Sequence, residues 1–185
     1  ALAGPLTIDG GSNGLGVSAN GSGDVLLESS GGDVIVNADV VSGTGNITLH
    51  ALNDLAVSSS VATGGSGTIY LWSGNSTTLA DGLSNDSGDI LVDSGANLTQ
   101  AASITSTSGD VGLIAGGILN QTAGGDVTTG GDVLVSAGTD WTMAGDTEIT
   151  TTGNVVGTVF GGDLTLGAIS GENVALTVSG SISDA

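Results

Sequence analysis

Gly88-Asp89-Ile90-Leu91-Val92, Gly109-Asp110-Val111-Gly112-Leu113 and Gly131-Asp132-Val133-Leu134-Val135 are one five-residue phrase written three times, 21 and then 22 residues apart. The phrase recurs upstream as Gly23-Asp24-Val25-Leu26-Leu27, Gly45-Asn46-Ile47-Thr48-Leu49 and Gly67-Thr68-Ile69-Tyr70-Leu71. Downstream it returns as Gly153-Asn154-Val155 and Glu172-Asn173-Val174-Ala175-Leu176. A turn pair, then apolar-x-apolar, thus repeats about every 21 residues along the whole chain.

Two further series fill each period. One contains Asp33-Val34-Ile35-Val36, Asp54-Leu55-Ala56-Val57, Asn97-Leu98-Thr99-Gln100, Asp140-Trp141-Thr142-Met143 and Asp163-Leu164-Thr165-Leu166. The other is marked by Val40 or Val41, then Val61, Leu83, Ile104, Val127, Ile149 and Ile169. Apolar-x-apolar is the signature of a strand with one buried face. The Gly, Asp, Asn and Ser between the runs are turn formers. A single coil of three such strands cannot bury its own Val and Leu, but stacked coils bury them in one continuous column.

The expected fold is therefore all-β: a right-handed parallel β-helix (solenoid) with three short strands per coil, 21–22 residues per coil and about eight coils. Parallel crossover connections are overwhelmingly right-handed, and stacking at about 4.8 Å per coil gives a rod roughly 40 Å long. A β-sandwich would also have many short strands, but it would not hold one apolar column in register at this period. Residues 1–185 read as a single domain. Residues 1–22, with Leu6, Ile8, Leu15 and Val17, read as an incomplete first coil, and Ser73 to Ser87 as a bulge or longer loop. The chain does not begin with Met and is expected to be a piece of a much longer repetitive protein, with flanking coils and an export signal elsewhere.

Composition narrows the function. There are 19 acidic residues, no Lys or Arg and a single His, for a net charge of −19. Phosphate backbones and anionic membranes are bound through cationic side chains, so nucleic acid and membrane surfaces are excluded as expected partners. The acidity keeps a Gly-rich rod soluble and leaves the surface open to cations. With no Cys there is neither a disulfide framework nor thiolate chemistry. No apolar run approaches the about 18 residues of a membrane span.

The phrases Gly-Asp-Val-x-Leu, Ala-Gly-Gly-Ile (115–118), Asn-Leu-Thr-Gln-Ala-Ala-Ser-Ile-Thr-Ser (97–106) and Gly-Gly-Asp-Leu-Thr-Leu (161–166) resemble filamentous haemagglutinin-type repeats. They are equally similar to the β-helix repeats of giant bacterial surface proteins and autotransporter-like passengers. The resemblance covers nearly the whole chain. It implies right-handed β-helical coils, export to the cell surface of a Gram-negative bacterium, and a structural or adhesive role toward surface glycans or other cells. The chain departs from such repeats in having no Lys or Arg, which argues against adhesion to anionic glycans.

A lyase similar to pectate lyase needs a basic residue, and none is present; a carboxylate-pair hydrolase is formally open, but nearly every Asp fills a turn slot, so the expectation is no enzyme. Asp89, Asp110 and Asp132 occupy one coil position in three consecutive coils. They either accept bonds from turn N–H groups or form a calcium site from stacked carboxylates; no other cofactor is expected. Tyr70 and Trp72 flank Leu71 on the outward face and are candidates for stacking on a sugar ring, or a plain surface cluster. His50 is expected to be an incidental surface residue. Trp141 and Met143 fall on the inward column with Leu55 and Val57. Gln100 and Asn120 are expected to form an inward amide ladder. The threonine-rich stretches at 104–107 and 149–152 are read as out of register between coils, against an ice-binding array. Asn46, Asn75 and Asn97 lie in glycosylation sequons, relevant only in a eukaryotic secretory pathway.

Overall fold

The computed structural model describes residues 4–11 and 14–185. Among them every regular element is a strand, and every paired strand is parallel to its neighbour. Three sheets result. The long-strand sheet stacks eight five-residue strands: Val25–Ser29, Ile47–Ala51, Ile69–Ser73, Ile90–Ser94, Val111–Ala115, Val133–Ala137, Val155–Val159 and Val174–Val178. These are the strands that follow the eight turn pairs of the repeated phrase, four of them Gly-Asp.

The second sheet has nine strands: Leu6–Ile8, Val34–Val36, Leu55–Val57, Thr77–Leu79, Leu98–Gln100, Leu119–Gln121, Trp141–Met143, Leu164–Leu166 and Ile182–Asp184. The third has eight: Leu15–Ala19, Asp39–Ser42, Val61–Thr63, Leu83–Asn85, Ile104–Ser106, Val127–Thr129, Glu148–Thr151 and Ala168–Ser170. Each strand pairs with the strand one period away, and consecutive strands belong to different sheets. The chain is a β-solenoid of about eight coils.

Strand alternation drives one face of each sheet into a common lumen. The central coils show a strict buried–partly exposed–buried pattern, as in Ile69–Ser73 and Ile90–Ser94. Ile47, Leu49, Leu71, Ile90, Val92, Leu98 and Ile104 are fully inaccessible and form one apolar column with their neighbours.

The stretch from Ser73 to Ser87 is not a bulge. Thr77–Leu79 and Leu83–Asn85 pair in register with the coils on both sides. The sequence signal is weak there because Thr77 occupies an inward position where the neighbouring coils hold Leu55 and Leu98; Asn85 stacks on Ser106 in a polar inward column, and both Thr77 and Asn85 are buried. Thr77 is satisfied by Ser73 Oγ at 2.8 Å, and Asn85 donates to the Gly88 carbonyl at 2.6 Å. The incomplete first coil is present among the described residues as its second- and third-sheet strands.

The corner entering the long-strand sheet explains the Gly-Asp pair. A Cβ at Gly88, Gly109 or Gly131 would run into the carbonyl oxygen of the equivalent glycine one coil earlier. On the lumen side of this corner a buried hydroxyl or amide caps those carbonyls: Ser42 to Gly23 at 2.7 Å, Thr63 to Gly45 at 2.7 Å, Ser106 to Gly88 at 3.2 Å, and Thr129 to Gly109. Buried carbonyls need such partners.

Candidate functional site

Among the described residues every strand of the long-strand sheet holds two outward residues, so its exterior carries two side-chain columns. One runs Leu26, Thr48, Tyr70, Leu91, Gly112, Leu134, Val156 and Ala175; the other runs Glu28, His50, Trp72, Asp93, Ile114, Ser136, Thr158 and Thr177. Beside the first column stands the corner residue that precedes each strand, which includes Asp89, Asp110 and Asp132.

That corner is a side-chain ladder. Asp89 Oδ1 accepts from the Asp110 amide at 2.9 Å, Asp110 Oδ1 from the Asp132 amide at 2.8 Å, and Asp132 Oδ1 from the Asn154 amide at 2.7 Å. Asp24 and Asn46 do the same for the amides of Asn46 and Thr68. The physical cause is local. The corner carbonyl receives the N–H of the first strand residue one coil earlier, as Asp110 O does from Ile90 at 2.9 Å. The corner amide itself meets no backbone carbonyl, so the Asx side chain of the preceding coil supplies one. A second ladder, of Asp33, Asp54, Asn97, Asp140 and Asp163, runs along the corner entering the second sheet. The acceptor reading of these residues therefore describes their geometry, with the amides belonging to the next coil. Among the described residues no three His, Cys, Asp or Glu side chains gather where they could share a metal ion.

Gly112 interrupts the outward apolar column. Its missing side chain leaves an elongated trench of about 410 Å³ lined by Leu91, Gly112, Leu134 and Val156, with Asp89, Asp110, Asp132 and Asn154 along one edge. Leu134 and Val156 are 47% and 44% exposed, high for residues with partners on both sides in their sheet. Sequence reasoning missed this trench; the signal was the single Gly between Leu91 and the Leu134–Val156 pair of the same column.

Tyr70 and Trp72 do alternate outward around the fully buried Leu71 and are half-buried on the exterior. Trp72 is not alone. His50, one coil earlier at the same position, stacks on it with ring centroids 4.3 Å apart and planes at 16°. His50 Nδ1 lies 3.9 Å from Glu28 Oε1, beyond hydrogen-bond distance. So His50 is part of an aromatic platform, and its spacing of one period from Trp72 was the available sign. Burial first, and then the Asp93 carboxylate, push the Tyr70 phenol above its usual range.

Trp141 and Met143 are buried in the lumen, in register with the column that holds Leu55 and Val57. The amide ladder joins Gln100 to Gln121, not to Asn120: Gln121 Nε2 donates to Gln100 Oε1 at 3.1 Å, and Trp141 Nε1 donates to Gln121 Oε1 at 2.8 Å. Asn120 is the middle, outward residue of its strand. Thr105, Thr128 and Thr150, read as out of register, are register partners in three consecutive coils. Ile104–Ser106 and Val127–Thr129 present only their middle residue outward, and the other outward residue of Glu148–Thr151 is Glu148, so the threonines form a single file and not a Thr-x-Thr array.

No family model, curated protein or solved structure matches this chain.

Proposed function

We propose that this chain is a structural segment of a large exported bacterial surface protein, serving as a rigid stalk that carries contact surfaces. The observation that supports the reading is the uninterrupted stacking of the three sheets, with the same corner ladders rebuilt coil after coil. Such a device adds length without adding a new core, which is what a spacer needs. The role is non-catalytic, and the setting is the outside of a Gram-negative cell.

A second reading has its own support. The His50–Trp72 stack beside Tyr70 is a half-buried, preorganised aromatic platform on the exterior of the rod, a candidate for contact with a neutral sugar. A glycan array probed with the parent chain and with the Tyr70→Ala/Trp72→Ala variant separates the two. No binding by the parent supports the spacer alone. Binding that disappears in the variant supports an adhesive platform on the stalk.

A further inference from the structure

The trench at Gly112 has three properties that together select an occupant. Its walls are aliphatic: Leu91, Leu134 and Val156. Its long axis follows the coil stack, because these residues are register neighbours in successive coils. One edge carries a carboxylate at every coil from Asp89 to Asp132, repeating at about the inter-strand distance of 4.8 Å.

Each of these carboxylates gives Oδ1 to the next coil's amide. The chain holds no Lys or Arg to neutralise them, and its net charge draws cations to the surface. The backbone groups under the trench are committed to the inter-strand ladder, so the walls offer a peptide main chain nothing to bond with.

We propose that this trench binds a linear aliphatic polyammonium chain, a polyamine, lying along the rod. Its methylenes rest on Leu91, Leu134 and Val156, and its ammonium groups pair with Asp89, Asp110 and Asp132. An extended three-methylene spacer places successive ammonium groups at close to the repeat of the carboxylates, and a four-methylene spacer reaches one bond further. A compact cation would use the charge but leave the aliphatic walls wet, whereas a polyamine uses both.

The test is calorimetric titration of the whole chain with spermine at physiological ionic strength. Three variants are compared with the parent. Asp89→Asn/Asp110→Asn/Asp132→Asn removes the three charges but keeps the ladder acceptors, as Asn46 already does naturally. Asp33→Asn/Asp54→Asn/Asp163→Asn removes three charges from the other ladder and is the control for general attraction. Gly112→Leu fills the notch; its Cβ would lie 2.7 Å from the movable Leu91 Cδ1.

The expected result is one spermine per chain, weakened about tenfold by the first triple variant and by Gly112→Leu, with little change in the control triple. Equal weakening by both triples would overturn the site in favour of diffuse attraction. So would a tetralysine peptide that binds as tightly as spermine with the same variant pattern, since the occupant would then be a basic peptide. Melting curves of all three variants confirm that each is folded before binding is compared.

Discussion

At the scale of the residue, the aspartates of the two corner ladders are structural acceptors. Replacing Asp110 by Asn leaves an Oδ1 for the Asp132 amide, whereas Ala leaves that amide to water. Chemical denaturation should find Asp110→Asn nearly unchanged and Asp110→Ala less stable by up to about 1 kcal/mol, the net worth of an exposed hydrogen bond. Tyr70 offers a second check, because it is the sole tyrosine and its ultraviolet titration is unambiguous. Burial and Asp93 raise its pKa, so ionisation should occur above about pH 10 and move down in Asp93→Asn. A folded pKa raised above the unfolded one gives a contribution that is whole below the unfolded value and is lost as pH rises through the folded value.

At the scale of the element, the lumen is filled by size matching between strands of different sheets. Trp141 occupies a position held by Leu98, Leu119 and Leu164 in neighbouring coils. The extra volume is accommodated opposite, at Gly157, where other long strands place Leu113 or Val135. A Cβ there would meet Trp141 Cζ3 and Leu176 Cδ2, each at 2.7 Å. Gly157→Val should therefore cost about 1–3 kcal/mol by overpacking. The double variant Gly157→Val/Trp141→Leu should recover much of that loss. Additive losses in a denaturant double-mutant cycle would show that the two residues do not share the space.

At the scale of the whole molecule, nineteen negative charges with no fixed cation repel one another along the rod. Thermal midpoints should rise as sodium chloride is raised from low to moderate concentration, because screening acts on like charges about a Debye length apart. Calcium can be separated from this general effect at fixed ionic strength. One oxygen of each of Asp89, Asp110 and Asp132 is committed to an amide, and Ca²⁺ takes about 6–8 oxygen ligands. The midpoint in Ca²⁺ should then equal that in EDTA. A rise specific to Ca²⁺ and lost in Asp110→Asn would restore the calcium site.

The repeat of turn pair and apolar-x-apolar was enough to determine the solenoid, its three sheets and the inward placement of Leu71, Trp141 and Met143. Periodicity of two within a strand and about 21 between strands dictates which side chains face inward and which residues stack. Where Thr77 held an inward position that neighbouring coils give to Leu55 and Leu98 the pattern failed, because its burial depends on a partner in the lumen, Ser73 Oγ. The true partner of Gln100 was one residue from the expected one, and in a strand one residue is the difference between lumen and solvent. Lateral relations were decided by the tertiary structure alone: the His50–Trp72 stack, the Gly157 recess for Trp141, and the trench that Gly112 opens beside the Asp ladder. Each joins residues through the thickness or along the surface of the stack, where neighbours are set by coil rise and side-chain volume and not by adjacency in the chain.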